Sequence, residues 1–189
     1  MTRRNHLRAV TSEPASDADV VLRIANGEMR ALGVLYDRYA SSLYAFSWRL
    51  VKDESAEDVV QAVFLRVVQV ASSFDPHAAS ARPWLFGIAV RLVRERRRSF
   101  RRFAAMLHAR FTTVQPRDRA PFEPLDHRRD LEHALDRLTE AKRVVLLLAE
   151  VEGFTCEEIS RMLSISVGTV WTRLHHARKE LRAHLGELS

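Results

Sequence analysis

The chain has 189 residues and a formal net charge of +6, and 47% of its residues are hydrophobic against 29% charged. This is the composition of an ordinary globular protein with one large or two small domains, and the low Gly and Pro content favours long helices. The single cysteine, Cys156, excludes an internal disulfide and a cysteine-rich metal site, and it fits a reducing cytoplasm. The sequence contains no apolar run near the roughly 18 residues of a membrane span and no secretory signal pattern.

The positive charge is concentrated in one segment. Residues 82–110 contain nine Arg and one Glu, a net charge of +8, so the rest of the chain sums to −2. A local basic stripe of this kind is typical of a protein with a polyanionic partner such as nucleic acid. An ordinary solvated helix face would have the same composition, so the Arg run alone leaves both interpretations open.

Helical periodicity runs through the whole chain and predicts an all-α fold. Helices are predicted at residues 16–27, 28–51, 55–72 and 82–109, then at 127–137, 140–151, 155–162 and 167–186. Ser16, Ser55, Thr139, Thr155 and Ser166 are the predicted N-caps, and Asp58 completes a variant capping box with Ser55.

The chain is predicted to contain two small helical domains. Residues 112–125 contain three Pro and no periodicity, which is typical of a linker. The predicted organisation is a flexible tail at 1–15, a first helical domain at 16–110, a linker at 111–126 and a second helical domain at 127–189.

The last two helices have the spacing of a helix-turn-helix, with Ser164-Ile165-Ser166 as the turn. The outer face of the second helix carries hydroxyl, aromatic and cationic side chains, which suit phosphate and base contacts. The candidate DNA contacts are Thr169, Trp171, Thr172, Arg173, His176 and Arg178. A helical hairpin with a solvated outer face would show the same periodicity, so periodicity alone does not decide between them.

The segment GTVWTRLHHARKELR resembles the DNA-reading helix of the extracytoplasmic-function (ECF) group of bacterial RNA polymerase sigma factors. The resemblance implies that residues Thr169 to Arg178 enter the major groove at the minus-thirty-five promoter element. The chain departs from the family at Ser164, where Gly is usual, at Trp171, where a basic residue is usual, and at His176, where Arg is usual. A left-handed Ser164 would be strained, Trp171 cannot form a bidentate guanine contact, and the charge of His176 depends on pH.

Residues 28–98 resemble the core-binding and promoter-melting region of the same family, through LYDRYASSLYAFSWRL, AEDVVQAVFLRV and SFDPHAASARPWLFGIAVRLVRERRR. The resemblance implies that the second of these segments docks on a coiled coil of the largest polymerase subunit. The candidate docking residues, carried over by position, are Asp58, Gln61, Phe64 and Leu65. One of Phe64 and Leu65 is expected to belong to the core instead, and the pattern does not say which.

The resemblance also implies that the Arg-rich helix lies along the minus-ten promoter element and that the turn from Phe74 to Ser80 captures a flipped base. The candidate minus-ten contacts are Phe74, His77, Ser80, Arg91, Arg94, Arg97 and Arg98. The neighbouring Trp84 could stack on an unpaired base, but its apolar surroundings favour a core position. The family commonly has Arg-Asn where this chain has Val90-Arg91, which moves the charge about 100° around the helix.

The sequence is therefore predicted to be an ECF-type sigma factor, a cytoplasmic transcription initiation factor that directs polymerase to promoters and helps to melt them. The implied partners are RNA polymerase core, promoter DNA and an anti-sigma factor, with no small-molecule substrate and no membrane insertion. No catalytic activity, cofactor or metal is predicted, because the acidic residues are scattered and the eight His show no ligand spacing. The alternative is a stand-alone dimeric helix-turn-helix regulator, which would bind operator DNA tightly without polymerase.

Overall fold

The computed structural model describes residues 15–108 and 127–186, and these ranges contain helices and no strand, which confirms the all-α prediction. The α-helices are α1 (Asp17–Ala25), α2 (Arg30–Val51), α3 (Ser55–Val70), α4 (Arg82–His108), α5 (His127–Arg137), α6 (Glu140–Leu146), α7 (Cys156–Leu163) and α8 (Val167–Gly186). A 3-10 turn follows α3 at Ala71–Ser73, and a π-helical segment at Leu147–Val151 continues α6. The predicted linker and nearly all of the predicted tail lie outside the described residues.

The ends of the first three helices follow mostly from local sequence signals. The Ser16 Oγ accepts a hydrogen bond from the backbone N–H of Asp19 at 3.1 Å, as expected for the N-cap of α1. The predicted cap at Ser55 is wrong, because Ser55 is already the first residue of α3. Its backbone N–H donates instead to Asp53 Oδ1 at 2.8 Å, so the aspartate two residues earlier satisfies this end of the helix.

In the second half of the chain, two of the three predicted N-cap residues form the capping side-chain hydrogen bond. Thr155 and Glu158 form the full capping box at the start of α7, with the Thr155 side chain accepting from the Glu158 N–H at 3.2 Å. Ser166 accepts from the N–H of Thr169 at 3.1 Å and so caps α8. Thr139 occupies the N-cap position of α6 without a side-chain hydrogen bond. These caps fix where α7 and α8 begin, and therefore the geometry of the turn between them.

The first three long helices enclose a core beneath α1. Leu43, Phe46 and Leu50 of α2 are fully buried or nearly so, and they belong to the same buried cluster as Val63 of α3 and Phe86 of α4. Burial of one such side chain contributes roughly 1.5–3 kcal/mol. The ring centroids of Phe46 and Phe86 lie 5.0 Å apart. Phe86 thus closes the first core and reaches toward the second half of the chain.

The second half of the chain packs directly on the first. The ring centroid of Phe154, just before α7, lies 5.3 Å from that of Phe86 on α4. A Cβ atom on Gly87 would lie 3.5 Å from the carbonyl oxygen of Met162 and 3.7 Å from its Cα. These are ordinary van der Waals distances, so the backbones of α4 and α7 lie in direct contact at this point. The buried residues of both halves consequently form one continuous cluster.

Candidate functional site

Three of the four predicted docking residues share the outer face of α3. Asp58, Gln61 and Leu65 are exposed at helical spacing, and Leu65 is 68% exposed. Phe64 is only 4% exposed, and its ring centroid lies 4.9 Å from that of Tyr36 on α2. The core residue of the Phe64–Leu65 pair is therefore Phe64, which supports the α3 face from beneath.

The candidate docking face extends onto α2, where the sequence pattern had not been used to predict contacts. Tyr36 and Tyr44 are 49% and 44% exposed, and they line a shallow cleft with Glu57 and Gln61 of α3. Their spacing of eight residues places both on one side of α2, and this periodicity was the available signal. We call the surface formed by Tyr36, Tyr44, Asp58, Gln61 and Leu65 the α2–α3 face.

The α2–α3 face is acidic and apolar, whereas α4 behind it is basic. Asp58 Oδ2 lies 3.1 Å from Arg96 Nη1, and both side chains are more than half exposed. An exposed ion pair of this kind contributes at most about 1 kcal/mol. Asp58 can therefore exchange Arg96 for a cation on another protein at little cost.

The turn before α4 is anchored by a buried carboxylate. Asp17 accepts hydrogen bonds from Ala81 N–H at 2.7 Å, from Arg38 Nη1 at 2.8 Å and from Ser80 Oγ at 3.0 Å, and the Tyr39 hydroxyl also donates to it. Burial alone would raise the pKa of Asp17, but these bonds outweigh it and hold the pKa below its ordinary value. Asp17, in α1, is therefore hydrogen-bonded both to α2 and to the residue that precedes α4.

This network changes the interpretation of the candidate base-capture residues. The Ser80 hydroxyl is half-buried between Asp17 and Tyr39, at 3.0 and 3.1 Å, so it holds the turn in place. Phe74 is half-buried against the edge of Trp84, with ring centroids 5.1 Å apart. His77 is exposed at the tip of the turn. Of the three residues predicted to meet a base, only His77 stands fully at the surface.

The helix-turn-helix forms one wall of the cleft beside this turn. The cavity has a volume of about 470 Å³. Phe74, Asp75 and Trp84 line one side of it, and Arg161 and Met162 of α7 line the other. A nucleotide entering the cleft would therefore meet residues of both halves of the chain.

Several arginines of α4 are paired with acids from the second half of the chain. Arg82 Nη2 lies 2.6 Å from Glu152 Oε2, and its guanidinium lies over the ring of Phe154 at 4.5 Å from the centroid. Arg94 and Arg97 lie 3.7 and 3.2 Å from the carboxylate of Glu140. These acids are more than 40 residues away in sequence, so the charge pattern of the Arg segment did not predict the pairing.

The buried charges between the two halves have shifted pKa values. Burial raises the pKa of Glu152 by more than Arg82 and Arg49 lower it. Burial likewise lowers the pKa of Arg94, an effect that Glu140 opposes and Arg173 of α8 reinforces. Each of these ions has lost part of its hydration, and the ion pairs between the halves recover only some of that cost.

The predicted minus-ten arginines therefore fall into two groups. Arg94 and Arg97 are half-buried and face the second half of the chain. Arg91 and Arg98 are exposed, although Arg91 Nε donates to the Gly87 carbonyl at 3.1 Å. In this arrangement only the second group presents its charge to solvent.

The turn of the helix-turn-helix has the predicted geometry. Ser164 ends α7 in the left-handed region at φ 52° and ψ 48°, where glycine would be less strained. The Ile165 N–H donates to the Ser160 carbonyl at 3.1 Å and completes the cap. The condition under which Ser164 would be strained, a left-handed backbone, is therefore met.

The outer face of α8 is set by its buried stripe of Val170, Leu174 and Ala177. Trp171, Thr172 and His176 are exposed, as predicted. Thr169 is half-buried and shares a 2.8 Å hydrogen bond with the Ser166 hydroxyl. Arg173 is half-buried near α4, and Arg178 is exposed with its Nε 2.8 Å from Glu150 Oε1.

Two further residues of this face were missed by the sequence analysis. His175 and Lys179 are exposed and continue the row that begins with Gly168 and Thr172. Helical spacing from Val170, the centre of the buried side, would have identified them. The exposed row thus combines small, aromatic and cationic groups, as DNA-reading helices do.

The fold and these surfaces define a helical protein with a helix-turn-helix reader and an adjoining basic helix. Residues 35–103 match the family model described as Sigma-70 region 2, and residues 128–181 match the one described as Sigma-70, region 4. The chain is 34% identical over 168 residues to the RNA polymerase sigma factor CarQ of Myxococcus xanthus, covering 88% of this chain and 95% of that protein. It is also 34% identical over 168 residues to the ECF sigma factor SigL of Mycobacterium tuberculosis, covering 87% and 94%.

Two solved structures share the fold. CnrH in complex with the cytosolic domain of CnrY superposes with a TM-score of 0.66 at 28% identity, covering 93% of this chain and all of that one. RpoE of Bartonella quintana, in complex with the anti-sigma factor NepR, gives a TM-score of 0.63 at 25% identity, covering 77% and 91%. The chain belongs to the ECF group of bacterial RNA polymerase sigma factors, which are transcription initiation factors. None of the described helices is long and apolar enough to cross a membrane.

Proposed function

We propose that this sigma factor docks on RNA polymerase core through the α2–α3 face and reads the two promoter elements with α4 and α8. The α2–α3 face offers acidic and amide groups around an exposed apolar anchor, Leu65, a combination typical of protein interfaces. The exposed charges of Arg91 and Arg98 suit phosphate contacts at the minus-ten element. The observation that carries the proposal is that α3 and α8 present these groups on separate, outward surfaces.

Promoter binding then requires the two halves of the chain to move apart. Arg82, Arg94 and Arg97 are engaged by Glu140 and Glu152, and α7 walls the cleft beside the base-capture turn. While these ion pairs persist, the paired arginines of α4 cannot contribute their charge to DNA binding. Docking on polymerase would hold the two readers at separate sites, and the tether between them raises their effective concentration on one promoter.

We further propose that an anti-sigma factor regulates this protein in the cytoplasm. The solved structure of RpoE with NepR shows a similar protein bound to an anti-sigma factor, and CnrH was solved in complex with the cytosolic domain of CnrY. A protein that clamps the two halves in the packed arrangement would keep α4 paired with acids. No catalytic activity and no cofactor is assigned to the chain.

The decisive experiment is a pull-down of bacterial core RNA polymerase with the full chain. Wild type should bind, and Asp58→Arg/Gln61→Ala should not. Leu65→Asp should also lose binding, because it places a charge at the apolar anchor. Leu22→Asp is the matched control, since Leu22 on α1 is 57% exposed and lies outside the α2–α3 face.

The outcomes separate the proposal from its alternative. If Leu22→Asp weakens binding as much as Leu65→Asp, the docking face is misassigned. If folded wild-type protein does not bind core polymerase but binds DNA tightly by itself, the stand-alone regulator is correct.

A further inference from the structure

One large apolar side chain stands on the outer face of α8. Trp171 is 58% exposed, although its neighbour Val170 is fully buried. It lies in the first two turns of the helix, the part of a reading helix that reaches base edges. A tryptophan at this position contributes nothing to the buried stripe, so its large apolar surface is available to a ligand.

The surroundings of Trp171 leave the indole open. Gly168, one turn earlier, has no side chain, and a Cβ there would meet only Ser166 Oγ at 4.0 Å. The adjacent Thr172 hydroxyl already donates to the Gly168 carbonyl at 2.9 Å. A partner can therefore approach the helix backbone closely and lie against the ring.

The chemistry of the major groove restricts what this ring can recognise. An indole has one N–H donor and no acceptor, so it cannot make the paired hydrogen bonds with which Arg reads guanine. The one apolar group that a base pair displays in the major groove is the C5-methyl of thymine. The cations elsewhere on α8, such as Lys179, can contact phosphates but cannot recognise a methyl group.

We infer that Trp171 packs against a thymine C5-methyl group in the minus-thirty-five element, so that this factor selects a T·A pair at one position. This inference rests on the proposed entry of α8 into the major groove. It assigns a base preference to a single residue of this chain, where a basic side chain would select guanine instead.

The first test is a selection with holoenzyme. Core polymerase carrying the full chain would select DNA from a promoter library randomised over the minus-thirty-five region. Wild type should enrich T at one position, Trp171→Ala should lose that preference alone, and Trp171→Arg should shift it to G. Trp48→Ala, which removes a 42% exposed indole from α2, should leave the preference unchanged.

The second test removes the methyl group from the DNA. Replacing the selected thymine by deoxyuridine should weaken wild-type binding about fourfold, which corresponds to about 0.8 kcal/mol for one buried methyl group. The Trp171→Ala holoenzyme should bind both DNAs equally. Thermal unfolding of the variant should match wild type, because the indole is mostly exposed.

Each other outcome overturns the inference. If deoxyuridine has no effect on wild type, or the same effect on Trp171→Ala, the indole does not contact the methyl group. If Trp171→Ala weakens transcription equally on all templates with unchanged base preference, Trp171 contacts a protein. If wild-type holoenzyme enriches no base in this region, the proposed role of α8 fails, and the inference fails with it.

Discussion

The clearest prediction concerns two aspartates in the first turn of α1. Asp17 is 8% exposed and accepts hydrogen bonds from α2 and from the start of α4, whereas Asp19 is exposed and bonds only locally to Ser16. Both carboxylates lie in the first turn of α1, where the positive end of the helix dipole favours negative charge. Replacing each by asparagine therefore separates the buried network from the dipole effect.

The expected magnitudes differ severalfold. Breaking one partner of a buried ion pair costs about 3–5 kcal/mol, and the lower end applies to Asp17→Asn because the Arg38 side chain is 28% exposed. Asp19→Asn loses only a surface interaction with the dipole, about 0.3–1 kcal/mol. At about 2–4 °C per kcal/mol for a chain of this size, Asp17→Asn should lower the melting temperature by about 6–12 °C.

The pH dependence of the Asp17 effect has a definite sign. Its folded-state pKa lies below the ordinary value, so the ionised carboxylate stabilises the fold above an unfolded pKa of about 3.9. That contribution is lost as the pH falls through the lowered folded-state pKa. The difference in the free energy of unfolding between wild type and Asp17→Asn should therefore be largest near neutral pH and should decrease in acid.

Urea unfolding at several pH values measures both effects, and promoter melting by the holoenzyme measures the consequence for function. Because Asp17 holds Ser80 and Ala81, Asp17→Asn should also slow melting at the minus-ten element, while Asp19→Asn should not. Equal destabilisation by the two variants, or a gap that widens in acid, would refute the assignment of Asp17 as the anchor of the turn.

Two further predictions concern the turn of the reader and the contact between the halves. Ser164→Gly should stabilise the protein by about 0.5–1 kcal/mol in urea unfolding. It removes left-handed strain of about 1–2 kcal/mol, and part of that gain is offset because glycine gives the unfolded chain more conformational freedom. Ser166→Gly, which changes the N-cap of α8, should give no gain in stability. Glu152→Gln should weaken the interaction of residue 152 with Arg82 by about 1 kcal/mol. The fraction of molecules in which the two halves are apart should then rise about fivefold. Pulsed-EPR distances between labels on α3 and α7 measure this fraction. Glu150→Gln, within the second half, should leave those distances unchanged, and an equal shift in both variants would contradict the role of Glu152.

The helices were predictable because their signals are local. Ser16, Thr155 and Ser166 bond to backbone groups three residues away, and apolar spacing defines the buried stripes. Ser55 was assigned wrongly because Asp53 supplies the same kind of oxygen two residues earlier. In a turn rich in serine and aspartate, the sequence alone does not show which side chain caps the helix.

The surfaces were only partly predictable. Phe64 and Leu65 are adjacent on α3, and packing against other elements, including the ring of Tyr36 on α2, determines that Phe64 is the buried one. The Ser80 hydroxyl could hydrogen-bond to a base, but it donates instead to Asp17, which lies 63 residues earlier in the sequence. Contacts between distant segments decide which polar groups remain free, and periodicity carries no information about them.

The ion pairs on α4 bear directly on the proposal that α4 and α8 both read DNA. Arg82, Arg94 and Arg97 would each suit a phosphate, yet each already faces a carboxylate of the second half. If α4 binds promoter DNA as we propose, the phosphates must replace Glu140 and Glu152 as the anionic partners of these arginines. The free energy gained is then the difference between two ionic contacts. Burial raises the pKa of Glu152 despite two nearby arginines, so its ion pair with Arg82 recovers only part of the hydration that the carboxylate loses. Under this proposal, a partner that holds α3 and α8 at separate sites would free these arginines for promoter DNA.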